Sequence, residues 1–260
     1  MSSPLARWYE THGRHDLAWR RTRDQWPILV SEVMLHQTQV PRVAAVWDDF
    51  VARFPDPRSM ATAGPAAVIM AWGRLGYPRR ARRLWEAAEQ ITAHGWPDDL
   101  TELPGVGRYT ARAVAAQADD ADLAAVEVNV QRVVERVTGR RLTTREAEVT
   151  AVRVGRPLRG RDRLLALMDV GASICRPRVP RCVDCPLTRR CATKGALPHE
   201  ALRRGQGRFE GSFRQRRGVV MERLREGPAP ASELDAPALE SLVTDGLAER
   251  HGPLARVASS

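Results

Sequence analysis

The sequence predicts an all-α protein whose helices pack in a non-bundle arrangement. Apolar residues recur at helical spacing along most of the chain, and no stretch shows the sustained alternation of a β-strand. At 260 residues the chain is long enough for one large domain, or for two closely associated ones, plus a small appendage.

Seven runs carry the helical pattern. The clearest is Arg79–His94, in which Leu84, Ala88 and Ile91 share one face and Gly95 then ends the run. In chain order the predicted helical segments are Ile28–Gln39, Val43–Phe54, Pro65–Trp72, Arg79–His94, Thr110–Gln117, Val128–Thr138 and Arg161–Ile174.

The composition changes after Cys191. Gly205–Arg217 is rich in glycine and arginine, which predicts a basic linker or arm. The segments Val219–Leu224, Ala231–Leu242 and Leu247–Val257 predict two helices and a short strand pair, as in a winged helix. A partly disordered tail is an equally good interpretation.

The charge balance favours a polyanionic partner, with nucleic acid first. The formal net charge is +10 and the pI is about 10.7; the alternative is a solvated basic surface. No segment has the length and apolarity of a membrane span, and Met1–Glu10 lacks a signal-peptide core, so we expect a cytoplasmic protein.

Four cysteines fall within seventeen residues, at Cys175, Cys182, Cys185 and Cys191. In a reducing compartment this density predicts a metal site and not a disulfide framework. Four thiolates in one loop can hold an iron–sulfur cluster. Zinc remains the alternative, although zinc sites usually show two short cysteine pairs and this loop has one. Several arginines crowd the loop and suit phosphate binding.

A glycine-rich turn, Leu103-Pro104-Gly105-Val106-Gly107, lies between two helical runs. Glycine permits a tight turn, and the N-terminus of the following helix presents backbone N–H groups. Such a hairpin can hold a DNA phosphate without reading the base sequence. The polar–apolar run Glu127–Arg132 follows about twenty residues later, before the cysteine loop.

These motifs occur in the order found in one family. The run Ser31–Val40 (SEVMLHQTQV), Gly73–Tyr77 (GRLGY), the hairpin and the cysteine spacing resemble the MutY branch of the helix–hairpin–helix DNA glycosylases. The resemblance covers roughly residues 5–195 and is strongest for a short actinobacterial-type form. It implies a two-lobed helix–hairpin–helix glycosylase fold with an iron–sulfur cluster loop and a small C-terminal appendage.

The resemblance also implies domain boundaries. Residues 24–130 would form a six-helix barrel domain that contains the hairpin. Residues 1–23 and 131–195 would form the iron–sulfur domain, in which the four cysteines hold a 4Fe–4S cluster. Residues 196–260 would form a linker and the appendage.

In such a family the target adenine is flipped out of the duplex and excised. Glu32 matches the general acid that protonates the base, and Glu127 matches the second carboxylate, which stabilises or captures the sugar cation. Asn129 matches a neighbouring asparagine, and Tyr109 a tyrosine that supports the carboxylates. Relatives that also cut the strand have a nucleophilic lysine where Tyr109 stands. Because Lys194 is the only lysine, we expect a monofunctional glycosylase without efficient lyase activity.

The same resemblance implies DNA contacts. Gln37 and Tyr77 match residues that wedge into the base stack, and Arg20 matches an arginine beside the adenine pocket. His36 matches a position near the lesion strand, and Gly105 and Gly107 belong to the phosphate-binding hairpin. The implied partner is double-stranded DNA with a mismatch or an oxidative lesion, bound by a monomer associated with the nucleoid.

Three residues depart from the family pattern. Glu127 replaces an aspartate, Val128 replaces a small residue, and His36 replaces a glutamine. The residues after Cys191 are also too few for the MutT-like domain that reads 8-oxoguanine in many members. The main hypothesis is excision of adenine opposite 8-oxoguanine or guanine. The alternatives are a related glycosylase of altered base or structure specificity, and a DNA-structure-binding protein with weakened catalysis.

Overall fold

A computed structural model describes residues 3–197 and 207–259, and the chain is helical through most of them. The helices in this part of the chain are α1 Pro4–His12, α2 Gln25–Leu35, α3 Val40–Ala44, α4 Trp47–Arg53, α5 Pro57–Trp72, α6 Arg79–His94, α7 Arg108–Ala118, α8 Val128–Thr138, α9 Thr144–Gly155, α10 Gly160–Asp169, α11 Phe213–Glu226 and α12 Ala236–Thr244. The strands are β1 Ala229–Pro230, β2 Ala248–His251 and β3 Leu254–Val257. Within these residues, no helix is long and apolar enough to cross a membrane.

The chain forms two compact units. The first unit comprises Met1–Leu29 with Gly107–Arg203, and the second comprises Val30–Val106 with Arg204–Ser260. The sequence led us to expect domains over 24–130, over 1–23 with 131–195, and over 196–260. The two units divide the chain at other residues, and the expected domain boundaries stay a prediction. The range 196–260 includes residues 198–206 and 260, which lie outside the described part.

The first unit has its core around α8, α9 and α10. Apolar side chains of all three helices pack together, among them Val133, Ala151 and Leu167. Helix α9 is absent from the sequence-predicted set, although it begins with a capping box. Thr143 accepts a hydrogen bond from the backbone N–H of Glu146, and Glu146 accepts one from that of Thr143.

In the second unit α5 packs against α6. The apolar face predicted for α6 is buried, as Leu84, Ala88 and Ile91 show. Helix α5 begins at Pro57, eight residues before the start predicted at Pro65, because the Asp56 side chain caps the helix there. Gly64, at φ 79°, interrupts the helical backbone between the two parts.

For two other helices the predicted boundaries were wrong. The segment Ile28–Gln39 ends as a helix at Leu35, because Gln37 takes a left-handed backbone conformation at φ 56°. The predicted Val43–Phe54 is two short helices, α3 and α4, because the chain leaves helical geometry at Val46.

The C-terminal segment has the winged-helix order of elements, α11, β1, α12, β2 and β3. The strands form an antiparallel sheet in the order β1-β3-β2. The prediction of a linker over Gly205–Arg217 was wrong for the last residues of that range, which are helical. Ser212 accepts a hydrogen bond from the backbone N–H of Gln215 and so starts α11 at Phe213. Residues 205 and 206 lie outside the described part.

Candidate active site and cysteine loop

Glu127 is the N-cap of helix α8, and its side chain turns back onto the first turn of the helix. Its Oε2 accepts hydrogen bonds from the backbone N–H of Asn129, at 2.8 Å, and from Asn129 Nδ2, at 3.0 Å. Its Oε1 accepts from the backbone N–H of Val130 at 3.0 Å. The two backbone N–H groups are unpaired donors of a helix N-terminus, where a negative charge is favoured. The carboxylate is therefore held in one orientation.

Opposing effects act on the acidity of Glu127. Burial raises the pKa of its carboxyl above the ordinary value, while the hydrogen bonds from Asn129 and Val130 and the positive charge of Arg132 lower it in part. The net direction is upward. A carboxylate held by N–H donors in a poorly solvated place can stabilise a cation more strongly than it could in water.

Asn129 connects this carboxylate to the chain around Cys175. While Asn129 Nδ2 donates to Glu127, its Oδ1 accepts from Arg132 Nη2 at 2.6 Å. The same guanidinium donates to the carbonyls of Gly171, at 2.7 Å, and Cys175, at 2.6 Å. One arginine thus joins the start of α8 to the beginning of the cysteine loop.

Gly171 is required by this close packing. A Cβ at this position would lie 2.7 Å from the Cβ of Asn129 and 2.8 Å from its carbonyl oxygen. Real Cβ contacts are not that short, so a larger residue would displace the start of α8. Neither Gly171 nor Arg132 stands out in the sequence as a site residue, because each has a partner about forty residues away in the chain.

Tyr109 lies on α7 in the same unit. It is half-buried and packs against the small apolar cluster of Ala113, Ala116, Ala125 and Leu164. The first unit therefore contains Glu127, Asn129 and Tyr109 of the predicted catalytic residues.

Glu32 belongs to the second unit and lies on α2, between the buried residues Ser31 and Val33. Only 4 % of its surface is exposed. A carboxyl group is seldom so buried without a functional or structural reason. The burial contrasts with the exposed position that a surface or capping glutamate would have.

The four cysteines line one pocket, together with Arg136 and Ile174. The guanidinium of Arg136 is buried and donates to the sulfur of Cys175 at 3.5 Å, and to the carbonyls of Arg176 and Pro177. Burial raises the pKa of Cys185 to about 11. Arginine and backbone donors aimed at sulfur are typical surroundings of an iron–sulfur cluster, and the thiol donor set fits one.

Across residues 3–197 and 207–259, no three His, Cys, Asp or Glu side chains gather around one point as ligands of a single metal ion do. The sulfurs that hold a four-iron cluster bind at its separate corners, so they stand farther apart than ligands of one ion.

Four of the predicted DNA contacts meet in the second unit. His36, Gln37, Tyr77 and Gly105 line one pocket, with Arg80 among them. Burial, and next the charge of Arg80, lower the pKa of His36. Gln37 and Tyr77 are exposed, and both have positive φ, at 56° and 49°. In the first unit, Gly107 precedes α7 as its N-cap residue and offers no side-chain hydrogen bond.

Arg20 is placed differently from an exposed DNA contact. Its side chain is 4 % exposed and forms a two-point ion pair with Asp169, at 2.6 and 2.9 Å. Burial of Asp169 would raise its pKa, but the hydrogen bond and charge of Arg20, with Arg14, outweigh it and lower that pKa. The predicted contact of Arg20 with DNA stays a prediction.

The fold and the site together define a class of protein. Residues 30–155 match the HhH-GPD superfamily of base excision DNA repair proteins. A solved structure of a thermostable thymine-DNA glycosylase superposes with a TM-score of 0.65 at 28 % identity, and covers 74 % of this chain and 93 % of its own. The predicted helix–hairpin–helix fold is confirmed.

Two relatives extend along almost the whole chain. The adenine DNA glycosylase of Mycobacterium tuberculosis is 44 % identical, over 95 % of this chain and 89 % of its own length. That of Mycolicibacterium smegmatis is 39 % identical, over 95 % and 92 %. The chain therefore belongs to the MutY-type adenine DNA glycosylase family, and is a hydrolytic DNA glycosylase of base excision repair.

Proposed function

We propose that the protein hydrolyses the N-glycosidic bond of adenine mispaired with 8-oxoguanine or guanine. The observation that carries the proposal is the identity of 39–44 % with two adenine glycosylases, which spans 95 % of the chain and so includes the C-terminal segment. Glu32 protonates the flipped adenine, which makes the base a better leaving group. The positive charge that develops on the sugar then requires a nearby anion.

Glu127 supplies that anion. The three N–H donors on its carboxylate support this role, because they hold the oxygens in place and oppose protonation. Asn129 orients the carboxylate, and Tyr109 supports the site from α7. Glu127 is one methylene longer than the aspartate of the family, and its side chain folds back onto the first helix turn.

We propose that the enzyme is monofunctional. Strand cleavage through a Schiff base needs a lysine or terminal amine, and Tyr109 stands where cleaving relatives have lysine. Lys194, the only lysine, follows the last cysteine of the loop. Borohydride reduction during turnover should trap no more DNA adduct than with the Glu32→Gln variant; efficient trapping would contradict the assignment.

We propose that Cys175, Cys182, Cys185 and Cys191 hold a 4Fe–4S cluster. The shared pocket and the Arg136 donor support it. When bound, the cluster fastens the loop and needs no part in the proton transfer. Purified protein should contain about four irons per chain and absorb visible light. Bound zinc without iron would contradict the proposal.

The protein would act as a monomer on mismatched or lesion-bearing duplex DNA in the nucleoid. Gln37 and Tyr77 would enter the base stack, with His36 beside them. The hairpin that contains Gly105 and Gly107 would bind a DNA phosphate. Arginine contacts to phosphate release counterions, so binding should weaken steeply between low and physiological salt. A flat affinity over that range would contradict the electrostatic mode of binding.

A second candidate function is excision of another base. It is favoured by the thymine-DNA glycosylase structure and by the residues that depart from the family pattern. Val128, beside Glu127, exposes 43 % of its surface at the start of α8, where the family has a small residue. A β-branched side chain there changes the space beside the catalytic carboxylate.

One experiment separates the two functions. Labelled duplexes containing A:oxoG, A:G, T:G or U:G are incubated with excess enzyme and then treated with alkali. Cleavage at adenine alone supports adenine excision, whereas cleavage at thymine or uracil supports the second function. The Glu32→Gln variant provides the baseline. Cleavage no faster than that baseline on every duplex would contradict both.

A further inference from the structure

Arg80, on α6, binds the end of α2. Its Nη1 lies within hydrogen-bond distance of three backbone carbonyls, those of Val33 and Met34 at 2.8 Å and that of His36 at 2.6 Å. The last carbonyls of a helix have no partner within the helix and attract a cation. Arg80 therefore provides the C-terminal cap of α2, directly before Gln37.

The other arm of the same guanidinium binds a second loop. Nη2 donates to the carbonyl of Gly76 at 2.9 Å, directly before Tyr77, and to Thr38 Oγ1 at 3.0 Å, directly after Gln37. The group also lies over the rings of Trp72 and Tyr77, at 5.1 and 5.6 Å from their centres. Arg80 thus contacts the chain on both sides of Gln37 and immediately before Tyr77.

These two loops share an unusual backbone. Gln37 and Tyr77 both have positive φ, and a side chain other than glycine rarely adopts that conformation. Both residues are exposed, so core packing does not account for it. The guanidinium is the common partner of both loops, and burial lowers its pKa to about 10, so it remains charged at neutral pH.

We propose that Arg80 is a positioning residue that holds Gln37 and Tyr77 in the left-handed conformation needed to enter the base stack. The inference rests on the wedge role proposed above for those two residues. The positioning role requires arginine in particular. Its planar guanidinium donates to carbonyls in two directions, whereas lysine has one compact ammonium group.

The first test compares Arg80→Lys with Arg82→Lys. Arg82 is a matched control: it lies on the same helix, donates to the Gly246 carbonyl and lies over the ring of Trp85. A duplex carrying 2-aminopurine beside the mismatch brightens when bases unstack. Arg80→Lys should lose most of that increase and slow single-turnover excision about 100-fold, as expected for displaced groups. Its affinity for undamaged duplex should change by no more than about twofold.

Arg82→Lys should unstack the duplex and excise like the wild type. If Arg80→Lys also unstacks the duplex like the wild type, the proposal is wrong. A loss of excision with normal unstacking would contradict it as well, because it would place Arg80 at a later step.

The second test needs no DNA. Melting temperatures are measured for the wild type, Arg80→Lys, Gln37→Gly and the double variant. Glycine accepts positive φ, so the destabilisation caused by Arg80→Lys should be smaller in the Gln37→Gly background. Equal destabilisation in both backgrounds would overturn the inference. If the wild type neither unstacks nor excises while this coupling is present, the wedge function fails and the positioning role stands.

Discussion

Replacing Glu127 with glutamine should separate catalysis from stability. The wild-type carboxylate accepts from two N–H groups of Asn129 and one of Val130. Glutamine keeps one acceptor oxygen, and its NH₂ group faces donors. Loss of the negative charge removes the anion proposed to stabilise the cationic sugar, which should slow excision roughly 10²–10³-fold, as for loss of one oriented electrostatic group.

The stability of the same variant should change little. Burial raises the pKa of Glu127, so a neutral side chain at this position loses less free energy on burial than the charged carboxylate does. This gain opposes the lost hydrogen bonds. The unfolding free energy should fall by about 1 kcal/mol, which is comparable to the loss of one helix N-cap interaction.

Glu135→Gln is the matched control. Glu135 is a buried carboxylate on the same helix, and it accepts from Gln131 Nε2 at 2.8 Å, the backbone N–H of Leu142 at 3.1 Å and Arg141 at 2.9 Å. Its replacement should cost about 1–3 kcal/mol, because hydrogen bonds to a charged group are lost. Excision by this variant should stay within about threefold of the wild type, since no reacting atom depends on the charge.

The assays are single-turnover excision on an A:oxoG duplex and unfolding in urea, with both variants and the wild type compared at one pH. Excision by Glu127→Gln within tenfold of the wild type would refute its assignment as the second carboxylate. An equal loss of excision in Glu135→Gln would show that damage to α8, and not loss of the charge, slows the reaction.

Three further outcomes follow from the first unit. Asp169→Asn should lower the unfolding free energy by about 3–5 kcal/mol at pH 7 because the buried Arg20 loses its charged partner. Since the folded pKa of Asp169 is lowered, its contribution exists above the ordinary value of 3.8 and is lost as pH falls through the folded pKa. The difference from wild type in urea unfolding should therefore shrink below that pH; a constant difference would contradict the ion pair. Gly171→Ala should displace Asn129 and slow excision about 100-fold with duplex affinity unchanged, and an unchanged rate would refute the close packing. Arg132→Lys should slow excision and lower iron content together, since it loses contacts to both Asn129 and Cys175; normal values of both would contradict that connection.

Local patterns in the sequence predicted much of the fold. The face of α6 formed by Leu84, Ala88 and Ile91 is buried because side chains three or four residues apart share one side of a helix. The start of α8 after Glu127 and its end at Gly139 follow from cap chemistry. The cysteine spacing predicted one shared pocket, because four thiols in a short loop cannot lie far apart.

Where prediction from sequence went wrong, longer-range contacts were responsible. The Ile28–Gln39 segment is apolar enough to continue as a helix, yet the carbonyls at the end of the observed helix are bound by Arg80, a residue 44 to 47 positions later. The ion pair of Arg20 with Asp169 is likewise a long-range contact that no local pattern indicated, and the predicted contact of Arg20 with DNA stays a prediction. Neither partner can be inferred from the residues adjacent in the chain.

By itself, then, the sequence determined the helices with clear periodicity and the grouping of the four cysteines in one pocket, since both depend on spacing along the chain. Only the tertiary structure decided how Glu127 is held through Asn129 and Arg132, why Gly171 must be small and what fixes Gln37 and Tyr77. Those interactions join segments far apart in sequence, and their geometry exists only once the helices have packed.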